Sequence, residues 1–180
     1  ILLFFGFVRE YKGLKYLIRA MQSITKRVTD VKLLIVGDFS GEESKRQYED
    51  LIGQTGVKEH ITVYDGYIPD KEVEKFFAAS DIVVLPYVSA TQSGIAQIAY
   101  GFEKPVVVTN VGGLPDVVTN QKTGYIVESE SADAIADAVV DFFEQDKAAE
   151  FMENVRKEAY RFSWERMTEI VEEMVAERNM

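Results

Sequence analysis

The sequence predicts an α/β protein: a doubly wound parallel sheet of about six strands, with helices closing the C-terminal end. Three observations predict it. Short runs of β-branched and large apolar residues alternate with longer segments of helical periodicity. The apolar runs are nearly continuous, as strands covered on both faces should be. Turn residues (Gly, Pro, Asp) close most of these runs at short spacing, which favours parallel strands with helical crossovers.

The elements follow in order. Residues 1–8 read as a buried strand with Gly6 near its end, followed by the turn Arg9-Glu10-Tyr11-Lys12-Gly13. Residues 14–28 repeat apolar positions at Leu14, Leu17, Ile18 and Met21, a helical face. A second strand over 31–36 ends at Gly37-Asp38, chiefly a turn signal, and a charged helix covers about 43–55. A third strand over 60–67 leads to Ile68-Pro69-Asp70, where Asp70 is the expected N-cap of a short helix carrying Val73, Phe76 and Phe77. Residues 81–87 form a fourth strand stopped by Pro86. A helix over about 93–102 and a strand over 105–110 come next. Gly112-Gly113-Leu114-Pro115 turns into a short helical piece near 116–119, and 124–127 is the sixth strand. Helices are expected over 132–145, about 147–160 and 163–177, the last with Ser163 as N-cap. With 180 residues and no repeat or linker, the chain reads as one domain over 1–180. It opens on a strand, without a Met or a secretory leader, and is expected to be a piece of a longer protein.

Composition narrows the function. Twenty Lys+Arg against 30 Asp+Glu leave a formal charge of −10, which argues against a nucleic-acid surface. The absence of Cys removes disulfides, thiolate metal sites and Cys nucleophiles, and fits a reducing, cytoplasmic setting. The single His60 builds no multi-His metal site and, at a strand start, reads as structural. No Ser/His/Asp constellation stands out, and no carboxylate is marked as a general base. Neither a P-loop nor a G-x-G-x-x-G motif is present.

In such a sheet the ligand sits outside the carboxyl ends of the strands. After the first strand, Gly6 leaves room beside the backbone, while Arg9 and Lys12 place two cations suited to a diphosphate near a helix start opened by Gly13. After the third, Gly66-Tyr67-Ile68 can hold a flat base or simply feed the next helix. After the fourth, Thr91-Gln92-Ser93-Gly94-Ile95 heads a helix rich in small residues. Such a head either cradles an anion on free amides or packs tightly on the sheet.

Taken as an ordered set, these turns resemble one family. The residues are Gly6…Lys12-Gly13-Leu14, Leu34-Ile35-Val36-Gly37, Ile61-Thr62-Val63…Gly66-Tyr67-Ile68-Pro69 and Ala79-Ser80-Asp81-Ile82-Val83-Val84-Leu85-Pro86-Tyr87. Lys104-Pro105-Val106-Val107, Gly112-Gly113-Leu114-Pro115-Asp116, Thr123-Gly124-Tyr125-Ile126-Val127 and Phe162-Ser163-Trp164 complete it. The chain resembles the C-terminal, donor-binding, Rossmann-like domain of the GT-B glycosyltransferases of group 1, or family 4, over essentially its whole length.

The resemblance implies a retaining transfer of sugar from a nucleotide-diphosphate donor, with no metal or other cofactor. It implies that Lys12 contacts the diphosphate, that Gly66 to Ile68 face the base, and that the Ser93-Gly94-Ile95 amides approach phosphate and sugar. An N-terminal domain of the same protein would supply most acceptor contacts. A lipid acceptor would bring the whole enzyme to the inner face of the membrane.

Two departures stand out. Phe7 occupies the place of a common Arg, with Arg9 as its substitute. The family's paired Glu falls on Ala90 and Ile98, leaving Gln92 or Gln97 to offer replacement hydrogen bonds. A sugar-nucleotide epimerase and a non-catalytic binding module therefore stay open beside the transferase. Finally, Met167, Ile170, Val171, Met174 and Val175 form an apolar stripe on the last helix. It either docks on its own domain or, as the resemblance implies, meets the N-terminal domain. In the second case it is partly exposed here and lets the piece self-associate.

Overall fold

The apolar runs pair into one parallel sheet of six strands in the computed structural model, which describes residues 1–178. The strands are β1 (Leu2–Phe5), β2 (Leu33–Gly37), β3 (Ile61–Asp65), β4 (Ile82–Leu85), β5 (Val106–Thr109) and β6 (Gly124–Val127), in the order β3-β2-β1-β4-β5-β6. The helices are α1 (Leu14–Arg27), α2 (Glu42–Thr55), α3 (Asp70–Ala79), α4 (Gly94–Gly101), α5 (Ala132–Glu144), α6 (Ala148–Ala159) and α7 (Trp164–Arg178).

Strand alternation divides the interior into two cores. Leu2 and Phe4 point into one, with Leu17, Ile18 and Met21 of α1 and Val139 and Phe142 of α5. Leu3 and Phe5 point into the other, with Phe77 of α3 and Ala96, Ala99 and Tyr100 of α4. All four β1 side chains are buried, so each contributes about 1.5–3 kcal/mol of burial. Helix α6 closes the β6 edge by sending Phe151 to the first core and Val155 to the second.

Several boundaries differ from expectation, each for a local reason. β1 stops at Phe5 because Gly6 turns the chain at φ +101°; Val8 rejoins only through a lone parallel bridge to Phe39. β3 is the sheet edge, with Thr62 to Asp65 exposed, and His60 precedes it in a 3₁₀ turn. There His60 Nδ1 lies 2.9 Å from the Val31 carbonyl oxygen, a structural role. Asp70 is the first residue of α3, not its N-cap: Pro69 takes the cap position, and no side chain caps the helix. Asp70 and Glu72 act instead as first-turn anions on the helix dipole. The piece after Pro115 is a 3₁₀ turn over Pro115–Val117. Ser163 does cap α7, its Oγ accepting from Arg166 N at 3.1 Å, while the Trp164 and Arg178 side chains, Asn179 and Met180 lie outside the described residues.

Between β1 and β4 the winding reverses: the chain runs outward through β2 and β3, then returns to β4 on the other side. The crevice outside the carboxyl ends of those two strands is where this topology opens a site. At the other extreme of the chain, α7 packs on the Tyr160–Phe162 turn and leaves Met167, Ile170, Val171, Met174 and Val175 exposed. Among the described residues no helix is long and apolar enough to cross a membrane.

Candidate functional site

The turn leaving β1 carries the central group. Lys12 N and Gly13 N donate to the carbonyls of Arg9 and Glu10, both at 3.0 Å, coiling residues 10–12 into a 3₁₀ turn. Val88 N donates to the Tyr11 carbonyl at 2.7 Å, lashing this turn to the chain leaving β4. The lysine is thereby drawn into the reversal point of the sheet.

Lys12 is 7% exposed. Its ammonium lies against Gly6, where an added Cβ would stand 2.9 Å from Nζ, and 5.6 Å from the centroid of the Tyr87 ring. Among the described residues no carboxylate comes within ion-pair distance of it. Burial, then the charge of Arg9, holds its pKa below the ordinary lysine value. A buried cation without a counter-ion is a standing demand for an anion.

Lys12 joins two lobes of one cleft. A more polar lobe of about 490 Å³ is lined by residues 89–95 with Tyr11, Lys12, Tyr87 and Ile98. An apolar lobe of about 270 Å³ runs past Phe5, Gly6 and Phe7, Gly37 and Asp38, Gly66 to Ile68, then Asp70 and Val73. Lys12, Ile95 and Ile98 line both. The apolar lobe is bordered by Gly6, Gly37 and Gly66, which leave room beside the backbone for a base or another planar group.

At the polar lobe the head of α4 is open. Ser93 is in the N-cap position with extended backbone, but its side chain caps nothing; Ser93 Oγ instead sits 3.4 Å from the Tyr87 hydroxyl. The first amides of α4 are left for a ligand, with the positive end of the helix dipole behind them. Thr91, Gln92 and Gly94 are exposed at this head, and Ser93 is buried.

The structure thus gathers Gly6, Lys12, Gly66, Tyr67, Ile68, Thr91, Gln92, Ser93, Gly94 and Ile95 around one cleft. Three expected residues fall outside it. Arg9 lines a separate groove, its guanidinium 5.8 Å from the Phe7 ring centroid. Gly13 faces the backbone: an added Cβ would lie 1.9 Å from the Pro86 carbonyl oxygen, at a φ of +65°. Gln97 is exposed on α4 and lines neither lobe. Ile98, one position on, does line both, so the place of the second Glu is apolar in this cleft.

Sequence reasoning placed none of Phe7, Gly37, Asp38 and Asp70 in a site: Phe7 stood only as a departure from the family pattern, Gly37-Asp38 chiefly as a turn and Asp70 as an N-cap. Each follows a strand end or heads a helix, so position in the topology was the signal available. Asp38 and Asp70 are the carboxylates of the apolar lobe. Among the described residues no three or more of His, Cys, Asp and Glu gather as a metal cluster would.

The model of the family described as glycosyl transferases group 1 matches residues 1–162. The chain belongs to the group 1 glycosyltransferases. A glycosyltransferase of Methanocaldococcus jannaschii is 35% identical over 91% of the chain and 41% of its own length. The D-inositol 3-phosphate glycosyltransferase of Corynebacterium aurimucosum is 33% identical, covering 89% of the chain and 39% of its own length. This glycosyltransferase chain therefore spans about two-fifths of the length of those relatives.

Solved structures share its fold. The Anabaena protein Alr3699/HepE, crystallised with UDP, superposes with a TM-score of 0.83 at 18% identity, over 98% of this chain and 48% of its own. The C-terminal domain of a group 1 glycosyl transferase (LpcC) from Francisella tularensis gives 0.79 at 23%, over 88% of this chain and 83% of its own. The fold is the Rossmann-like half of a GT-B glycosyltransferase.

Proposed function

We propose that this chain is the donor-binding, C-terminal domain of a retaining glycosyltransferase that moves a sugar from a nucleotide-diphosphate donor to an acceptor. One observation carries the reading. A buried lysine without a counter-ion stands between an apolar lobe and an open helix head. A nucleotide-diphosphate sugar has that sequence of parts: flat base, dianionic linker, hydroxyl-rich ring. The base lies along Gly66 to Ile68, the diphosphate at Lys12 and the α4 amides, and the sugar beside Thr91 and Gln92.

The chemistry is electrostatic. As the sugar–phosphate bond breaks, negative charge grows on the leaving diphosphate, and Lys12 and the fixed amides stabilise it there. On this reading they supply the compensating positive charge that a metal ion would otherwise bring. Arg9, outside the cleft, acts on the diphosphate at longer range through its own positive field. The acceptor and the other wall of the cleft belong to the preceding half of the protein, so the chain alone binds donor weakly and transfers nothing. The UDP complex of the Anabaena protein supports the donor class.

Calorimetry of the chain with UDP-, GDP- and ADP-sugars tests the proposal. One donor is expected to bind, and absence of heat with all three would sink it. Ala90 and Ile98 favour one second reading, a domain that binds donor without turnover. Product analysis of the longer protein separates the two, since a binding module forms no glycoside.

The exposed stripe on α7 fits the same reading. Its partner is the preceding half of the protein, which the relatives' greater length provides for. The chain alone is expected to self-associate with rising concentration in sedimentation velocity, and Val171→Glu to keep it monomeric. A chain that stays monomeric at all concentrations would count against an uncovered stripe.

A further inference from the structure

A groove of about 530 Å³ lies away from the donor cleft, between α1 and α2. On α1, Lys15 and Arg19 stand one turn apart on the face that meets α2, and Arg9 joins them from the β1–α1 turn. On α2, Ser44, Gln47 and Tyr48 look back across the groove.

The groove is built firmly. Ser40 Oγ donates to the Val8 carbonyl at 2.9 Å at its base, and the Tyr48 ring packs edge-on to Phe39 with centroids 5.8 Å apart. Gln22 Nε2 donates to the Thr55 carbonyl at 3.2 Å, tying the far ends of the two helices together.

Three cations and one carboxylate, Glu10, line this groove in a chain of net charge −10. Among the described residues these cations are only lightly engaged by carboxylates. Among the described residues neither Arg9 nor Arg19 has a carboxylate within ion-pair distance. Lys15 reaches Glu10 only at 3.9 Å, and that carboxylate is 93% exposed. Like charges one helical turn apart repel, so Lys15 and Arg19 are a cost to the empty fold. A dianion offsets that cost, and the neutral donors of α2 suit a hydroxylated body attached to it.

We propose that the α1–α2 groove is a second binding site, for a phosphomonoester on a hydroxyl-bearing molecule, distinct from the donor cleft. It opens on the α1–α2 face of the sheet, whereas the donor cleft is walled by α3 and α4. The β1–α1 turn separates them, with Arg9 on one side and Lys12 on the other. A soluble phosphosugar and a phosphate-bearing lipid headgroup present the same chemistry.

Calorimetric titration of the chain with glucose 6-phosphate, with glucose as the neutral twin, tests the first source. Sedimentation with phosphatidylcholine vesicles carrying phosphatidylinositol 4-phosphate, against the same vesicles carrying phosphatidylinositol, tests the second. Binding to at least one phosphomonoester is expected, and none to its twin without that group. Arg19→Gln and Lys15→Gln are each expected to weaken it about tenfold, the loss of one charge-assisted hydrogen bond. Neither substitution touches the donor cleft, so UDP affinity should stay as in the parent. Binding confined to vesicles and lost in Arg19→Gln assigns the ester to a lipid. The proposal fails if neither ester binds, if Arg19→Gln leaves binding unchanged, or if saturating UDP displaces the ester. Should no nucleotide bind at all, the donor reading falls while the ester titrations still decide this one.

Discussion

Lys12→Ala is expected to weaken nucleotide-sugar binding about 100-fold. The ammonium stands where the two lobes of the cleft meet, so a bridging diphosphate takes one or two charge-assisted hydrogen bonds from it. Each is worth about 1.5–3 kcal/mol, and every 1.4 kcal/mol is tenfold in affinity. Lys12→Arg is not expected to rescue, because the planar guanidinium lacks room against Gly6.

The fold should survive the change, and the sign follows from the pKa. Burial and Arg9 lower the folded-state pKa of Lys12 below its unfolded value. The unfolded chain therefore binds that proton more readily, and the charged lysine opposes folding at every pH below the lowered pKa. This cost disappears as pH rises from the folded pKa to the unfolded one. Lys12→Ala should thus melt no lower than the parent at neutral pH, apart from the packing of the lost stem. Donor binding has the opposite linkage: a bound diphosphate raises the lysine pKa again. Affinity is flat below the free-state pKa and falls as pH rises through it, with proton uptake on binding. Parent-like affinity in Lys12→Ala, or affinity indifferent to alkaline pH, would remove Lys12 from the site.

Gly112→Ala is expected to damage fold and site together. A Cβ there would stand 1.6 Å from the Ala90 carbonyl oxygen and 2.7 Å from its carbon, at a φ of +52°. The obstacle is backbone on backbone, so no rotamer change relieves it. Gly113 N donates to the Thr91 carbonyl at 2.9 Å, and through this contact the β5 exit holds residues 90–92 in place ahead of α4. Displacing that loop costs about 3 kcal/mol, by the scale of overpacking and strained backbone. For a chain of this size that lowers Tm by roughly 6–12 °C. Donor affinity should fall with it, since Ala90, Thr91 and Gln92 line the polar lobe. Gly101→Ala is the control: nothing lies within 4 Å of its added Cβ, and Ala favours the helix. A Gly112→Ala variant that melts with the parent would show that the loops yield more easily than their contacts imply.

Much of this architecture was legible in the residues alone. Apolar runs buried on both faces have no helical period, and the periodic segments between them have one, so strands, helices and their parallel winding followed from local pattern. Lys12, Gly66 to Ile68 and Thr91 to Ile95 were legible because glycines and small polar residues at strand exits have a local reason to be there. The α7 stripe was legible as a stripe, its exposure being one of two readings that the sequence left open and the structure decided. Asp70 was misplaced as a cap because Pro69 can open a helix as well as precede one.

The sequence by itself determined the fold class, the strand exits that carry the cleft and the family resemblance, since each rests on periodicity, turn chemistry and ordered local motifs. Only the tertiary structure decided which exits converge. Strand order set β1 beside β4, and the Val88–Tyr11 hydrogen bond then buried Lys12 between them while Arg9 turned to the α1–α2 groove. Gln97 and Ile98 are neighbours in the chain, yet the roughly 100° between successive residues of α4 puts only Ile98 into the cleft. Such outcomes depend on contacts between residues far apart in sequence, and no local pattern encodes the distance between them.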